Sequence, residues 1–71
     1  MGTAGSQHPE IRPARILIVD DHPIVRQGLA RLIGRAPGLL MCGEAGNAAE
    51  ALKLLEAERP NLVILDLSLA T

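Results

Sequence analysis

Phenylalanine, tyrosine and tryptophan are all missing from this chain of 71 residues. A core must therefore be built from Leu, Ile, Val and Ala, and no aromatic platform exists on which unpaired nucleic-acid bases would stack. A basic run is missing as well: seven Lys and Arg stand against eight Asp and Glu, for a formal net charge of −1. No stretch is basic enough to track a phosphate backbone, so direct nucleic-acid binding by this chain is not expected. With a single cysteine, Cys42, an internal disulfide is impossible. Set in an apolar run, that thiol reads as a small buried hydrophobe in a reducing, cytoplasmic setting. No apolar stretch approaches the roughly 18 residues of a membrane span, and the first residues lack the charged-then-apolar pattern of a signal peptide. No membrane association is expected.

Aliphatic residues are abundant. Hydrophobic residues make up 48% of the chain and charged ones 21%, the balance of a globular rather than a disordered sequence. Length limits what that core can do, because a domain of roughly 60 residues buries only about 60% of its unfolded surface. A fold made by this chain alone is expected to be marginal.

Residues 1–14, MGTAGSQHPEIRPA, are rich in Gly, Pro and small polar residues without a period and read as a flexible leader. Residues 16–19 form an unbroken β-favouring run, the pattern of a strand covered on both faces. Pro23 suits the first turn of a helix, and Val25, Leu29, Leu32, Ile33 and Ala36 recur at helical spacing to about residue 36. The APG of residues 36–38 stops that helix. LLMCGEA then reads as a shorter strand whose Gly43 suggests an edge position. Asn47 and Glu50 resemble a capping box ahead of Ala48, Ala51, Leu52 and Leu55, a helix over 48–58 that Pro60 prevents from continuing. NLVILD, residues 61–66, is a third strand. The order is βαβαβ, which argues for an α/β fold with an open parallel sheet and right-handed crossovers.

Two of the three strands end in aspartate. Asp20 and Asp21 follow the first and Asp66 closes the third. In open α/β sheets ligands bind outside the carboxyl ends of the strands, where strand order reverses, and the first and third strands commonly meet there. Like charges about 4 Å apart repel by roughly 4 kcal/mol at an effective dielectric near 20, so a cation should neutralise the three. A hard divalent ion held by oxygen ligands fits Mg²⁺ better than zinc, since Cys42 and the two histidines lack ligand spacing. A carboxylate beside such an ion can attack phosphorus and yield an acyl phosphate. Plainer readings stand beside this one. Asp21 or His22 also suits a helix cap, and Asp66 suits the turn where a backbone leaves a sheet. His22, next to Pro23, reads as a capping or surface residue and His8 as solvated. The coincidence of acidic residues at two neighbouring strand ends, with none inside either strand, favours a site.

RILIVDDHPIVRQGLARLI, GEAGNAAEALKLL and PNLVILDLSL together resemble the receiver domain of two-component response regulators, over nearly all of residues 15–69. VDDHP with RQGL and GEAGNAAEAL is similar in particular to the subgroup with a LuxR/NarL-type helix-turn-helix output domain. The resemblance implies a flavodoxin-like fold of strand order 2-1-3-4-5, of which residues 15–71 supply β1-α1-β2-α2-β3, the N-terminal part. It implies that Asp66 accepts a phosphoryl group from a sensor histidine kinase. It also implies that Asp20, Asp21, Asp66 and the Ser68 backbone carbonyl hold Mg²⁺, and that the intact protein controls transcription. The hydroxyl and lysine residues that such domains carry on strands 4 and 5 have no counterpart in this chain, so a switching-deficient fragment is expected. So is self-association through the apolar edge of the third strand, which no fourth strand covers. The role implied is that of a phosphoacceptor module rather than an enzyme. A magnesium-dependent phosphatase of the haloacid-dehalogenase kind is the alternative, although that family expects an aspartate where Ser68 stands. A half-Rossmann nucleotide binder ranks last, because the turn DDHPIV contains no glycine.

Overall fold

The computed structural model describes residues 12–66. Its elements are β1 (Ala14–Val19), α1 (Pro23–Arg35), β2 (Leu39–Ala45), α2 (Ala48–Glu58) and β3 (Leu62–Leu65). The sheet has order β2-β1-β3, and both pairings are parallel. The α/β class and element order thus follow the sequence expectation, with β1 starting two residues earlier at Ala14, inside the stretch read as leader. The rest of that stretch through residue 11, with His8, lies outside the described residues, as does Ser68.

β1 is central because its side chains leave no face for water. Ile16, Leu17, Ile18 and Val19 are all between 0% and 2% exposed. Alternation along the strand sends them to opposite faces. Leu17 and Val19 pack with Ala45, Ala51, Cys42 and Leu54, the α2 side. Ile16 and Ile18 pack with Leu29, Ala30, Ile33, Met41 and Ile64, the α1 side. Each helix therefore covers one face of the sheet.

The helices rotate differently from the apolar stripes drawn on the sequence. Val25 and Leu32 of α1, and Leu52 and Leu55 of α2, are exposed, whereas Leu54 of α2, outside the expected stripe, packs against the core. One residue turns a helix by about 100°. In an aliphatic-rich helix several adjacent faces are apolar, and the sheet selects only one. Gly43 helps fix that choice, since a Cβ there would lie 3.3 Å from Leu54 Cδ1 and 3.4 Å from Leu17 Cδ1. As expected, Gly43 lies on a strand that is an edge among the described residues. Its neighbour Cys42 is half-buried and is skipped by the β1–β2 register, which passes from Ile16↔Met41 to Leu17↔Gly43.

Local chemistry ends each element. Ala36, Pro37, Gly38 and Leu39 make a tight turn in which the Leu39 N–H donates to the Ala36 carbonyl at 3.2 Å. Gly38 takes φ +85° there, the left-handed position that follows proline in a type II turn. At the start of α2, Asn47 Oδ1 accepts the Glu50 N–H at 2.8 Å. The return bond of the expected capping box goes one residue further back, because Glu50 Oε1 accepts the Gly46 N–H at 2.8 Å. The last turn of α2 contains no basic residue. Arg15 of β1 supplies that charge, donating to the Glu58 and Arg59 carbonyls and pairing with the Glu58 carboxylate at 2.8 Å. Arg15 and Asn61 exchange two further bonds, at 2.7 and 2.8 Å, which align β3 with β1.

Candidate functional site

The backbone ladder runs directly into the acidic residues. The Asp20 N–H donates to the Ala45 carbonyl at 2.9 Å, and the Asp66 N–H donates to the Val19 carbonyl at 3.0 Å. Because β1 and β3 are parallel neighbours, their last residues leave the sheet at the same end, and the side chains of Asp20, Asp21 and Asp66 converge there. One ligand atom from each of these three and from His22 lies within 4.8 Å of every other. The three aspartates that the sequence singled out are therefore neighbours in space.

They are not equivalent. The Asp20 side chain is 6% exposed, Asp66 26% and Asp21 49%. Asp20 Oδ1 accepts the His22 backbone N–H at 2.8 Å, a bond from an aspartate to the backbone two residues on, as in an Asx-turn. That turn reverses the chain between β1 and α1. Asp20 is thus anchored and inward, while Asp21 faces the solvent.

His22 corrects the sequence reading. It occupies the N-cap position of α1, but its side chain makes no capping hydrogen bond. Its Nδ1 instead stands 2.9 Å from Asp20 Oδ1, 2.9 Å from Asp21 Oδ1 and 3.3 Å from Asp66 Oδ2. The surface part of the expectation holds, since the ring is 59% exposed. Capping does not, and His22, which the sequence reading left out of the ligand set, stands among the three carboxylates. The Asx-turn folds its ring back over the residue two before it, a closeness that spacing along the chain does not convey. The DxH pattern was the available signal.

The carboxylates raise the imidazole pKa above its ordinary value of 6.5, through the Asp20 hydrogen bond first and the charge of Asp21 next, against an opposing effect of desolvation. A raised folded-state pKa means that the native chain holds this proton more tightly than the unfolded chain. The stabilisation is complete below 6.5 and fades as pH rises through the raised value. In metal-free buffer the His22 ring-proton NMR titration is expected to have its midpoint above 6.5, moving back toward 6.5 in Asp21→Asn. An unchanged midpoint in that variant would remove Asp21 from the account.

The donor chemistry suits a hard divalent cation. Three carboxylates offer oxygen ligands and water has access through Asp21, as Mg²⁺ prefers. The His22 nitrogen adds a softer donor that an all-oxygen site would lack. Around this cluster stands a further pair that the sequence reading overlooked. Arg26, on the first turn of α1, donates through Nη1 to the Asp20 carbonyl at 2.6 Å and through Nε to Glu44 Oε1 of β2 at 3.2 Å.

Comparison with known proteins agrees with this arrangement. The family described as response regulator receiver domain matches residues 16–71. The chain is 44% identical over 57 residues to the nitrate/nitrite response regulator protein NarL of Escherichia coli K12, covering 80% of this chain and 26% of that protein. It is 46% identical over 55 residues to the DNA-binding transcriptional activator DevR/DosR of Mycobacterium tuberculosis, covering 78% of this chain and 25% of that protein. Among solved structures, a LuxR-family two-component response regulator from Aurantimonas sp. SI85-9A1 superposes with a TM-score of 0.75 at 51% identity, over 80% of this chain and 41% of that one. The chain thus spans about a quarter of the length of the curated relatives it matches. A family match over most of its length, together with the parallel β2-β1-β3 sheet, places this chain in the response regulator receiver domain family.

Proposed function

We propose that Asp66 is the phosphoacceptor of a two-component signalling module and that Asp20, Asp21 and Asp66 hold Mg²⁺ beside it. The observation that carries this reading is the meeting of the three carboxylates at the ends of adjacent parallel strands, within 4.8 Å. A carboxylate oxygen of Asp66 attacks the phosphorus of a phosphohistidine on a sensor kinase. The new P–O bond forms as the P–N bond breaks, and the imidazole nitrogen departs with the electron pair. When bound, the cation shields the phosphoryl oxygens and the carboxylates from one another. Asp20 keeps its orientation through the Asx-turn, and Asp21 faces the solvent from which donor and ion arrive. The Ser68 carbonyl, outside the described residues, completes the proposed protein ligands.

Family membership supports a histidine kinase as partner and, in the whole protein, control of transcription from the cytoplasm. Among the described residues no helix is long and apolar enough to cross a membrane. The test is incubation of the chain with a small acyl-phosphate donor, with and without Mg²⁺, followed by intact-mass measurement and hydroxylamine treatment. A single phosphoryl adduct that needs Mg²⁺ and is released by hydroxylamine is expected. A chain that stays unmodified under all conditions would end the phosphoacceptor reading.

The exposed residues Leu62, Val63 and Leu65, on a strand that is an edge among the described residues, support self-association of the chain through that edge. Sedimentation across a concentration series should show mass rising above the monomer. A constant monomer mass would refute it.

A further inference from the structure

Arg26 joins three elements at one point. From the first turn of α1 its guanidinium reaches the carbonyl of Asp20, at the end of β1, with a bond of 2.6 Å, and the carboxylate of Glu44, on β2, with one of 3.2 Å. Its side chain is 23% exposed; the bond to the Asp20 carbonyl is partly shielded from water, while the one to Glu44 is open to it. The path is kept open by the residue after β2. A Cβ at Gly46 would lie 3.2 Å from Arg26 Nη1, tighter than ordinary contact. The Asp20 carbonyl belongs to the peptide that links Asp20 to Asp21. Holding that one peptide plane sets the direction in which both carboxylates leave the backbone.

We propose that Arg26, braced on Glu44, is a positioning residue of the acidic site, fixing the Asp20–Asp21 peptide so that both carboxylates stay within reach of Asp66. This inference rests on the reading of Asp20 and Asp21 as cation ligands, but its geometry can be tested without any cation. Two other roles for the same residue make opposite or separable predictions. As a mere charge beside the site, Arg26 would repel a cation, and neutralising it would tighten Mg²⁺ binding. As a mere structural brace, its loss would lower global stability and leave the folded site as it was. A positioning residue loosens the turn locally and weakens cation binding. Lysine cannot substitute, because its single ammonium lacks the planar fork that serves the carbonyl and the carboxylate together.

The experiment compares the full chain with Arg26→Gln, Arg26→Lys and Glu44→Gln. The first measurement is amide hydrogen exchange without metal, at His22, whose N–H is bonded to Asp20 Oδ1, and at Leu17 in the core. The second is Mg²⁺ titration followed by the Asp20 and Asp21 amide resonances. Expected are faster exchange at His22 with Leu17 unchanged in both Arg26 variants, and Mg²⁺ affinity lower by about tenfold, the lower end of what partners of metal ligands contribute. Glu44→Gln should show the same local loosening to a smaller degree, and it carries the test should the Arg26 variants not fold. Exchange at His22 that is unchanged, or that rises only in step with Leu17, overturns the inference. Tighter Mg²⁺ binding in Arg26→Gln overturns it as well. Absence of any Mg²⁺ response in the unaltered chain would instead count against the metal-site reading, and the exchange result would still decide the role of Arg26.

Discussion

Asp66→Asn is expected to abolish phosphoryl incorporation from an acyl-phosphate donor while leaving the chain folded. An amide oxygen is a poor nucleophile toward phosphorus, and the substitution also removes one of the three proposed anionic ligands, so attack and cation binding should fail together. Stability should change little, within about 0.5 kcal/mol, because asparagine keeps the backbone N–H bond that ties residue 66 to the Val19 carbonyl. Repulsion among the carboxylates is relieved at the same time, although the attraction of Asp66 for His22 is lost. Intact-mass measurement of the adduct and thermal unfolding of the same sample separate the two effects. An adduct that persists at normal yield in Asp66→Asn would move the acceptor to another residue, with Asp21 the first candidate because it is the most exposed of the three.

Much of this site was legible in the sequence because its positions are dictated by topology. Unbroken aliphatic runs mark strands buried on both faces, and parallel strands that share a sheet bring their carboxyl ends to one edge. Asp20 and Asp66 could therefore be paired from the chain order alone. What the sequence did not reveal depends on rotations about individual bonds. Whether His22 caps α1 or folds over Asp20 is decided by the Asx-turn, and the alternatives differ by side-chain torsions that no periodicity records. Arg26 sits in the RQGL segment that helped suggest the family, yet its contacts lie on two other elements, at Asp20 and Glu44. The helix faces were misread for a related reason. With so many Leu and Ala residues, Leu52 and Leu54 were equally plausible core residues, and the missing side chain of Gly43 favours Leu54. The alternative reading as a haloacid-dehalogenase phosphatase used the same strand-end aspartates, and family membership rather than site geometry distinguishes the two.

The acidic site inherits its stability from a single strand, so Leu17→Ala should unfold the chain and abolish the proposed phosphoryl transfer. Leu17 is fully buried at 0% exposure in the middle of β1, the only strand among the described residues that is paired on both sides. Truncating such a leucine typically costs about 2–5 kcal/mol. At roughly 0.05–0.15 kcal/mol per residue, a chain of 71 residues would have only about 4–11 kcal/mol in total. The loss is thus a large fraction of the whole stability. Repacking offers little relief, because the chain has no aromatic residue to swing into the gap and Gly43 across the register has no side chain at all. Amide NMR of Leu17→Ala should collapse to the narrow dispersion of an unfolded chain, with the phosphoryl adduct lost in parallel. Leu32→Ala, at a residue 64% exposed, serves as the control and should change stability by no more than about 0.5 kcal/mol. Retained dispersion in Leu17→Ala would mean that contacts outside the three-stranded core hold the chain together, and the apolar edge of β3 would then be the first place to look for them.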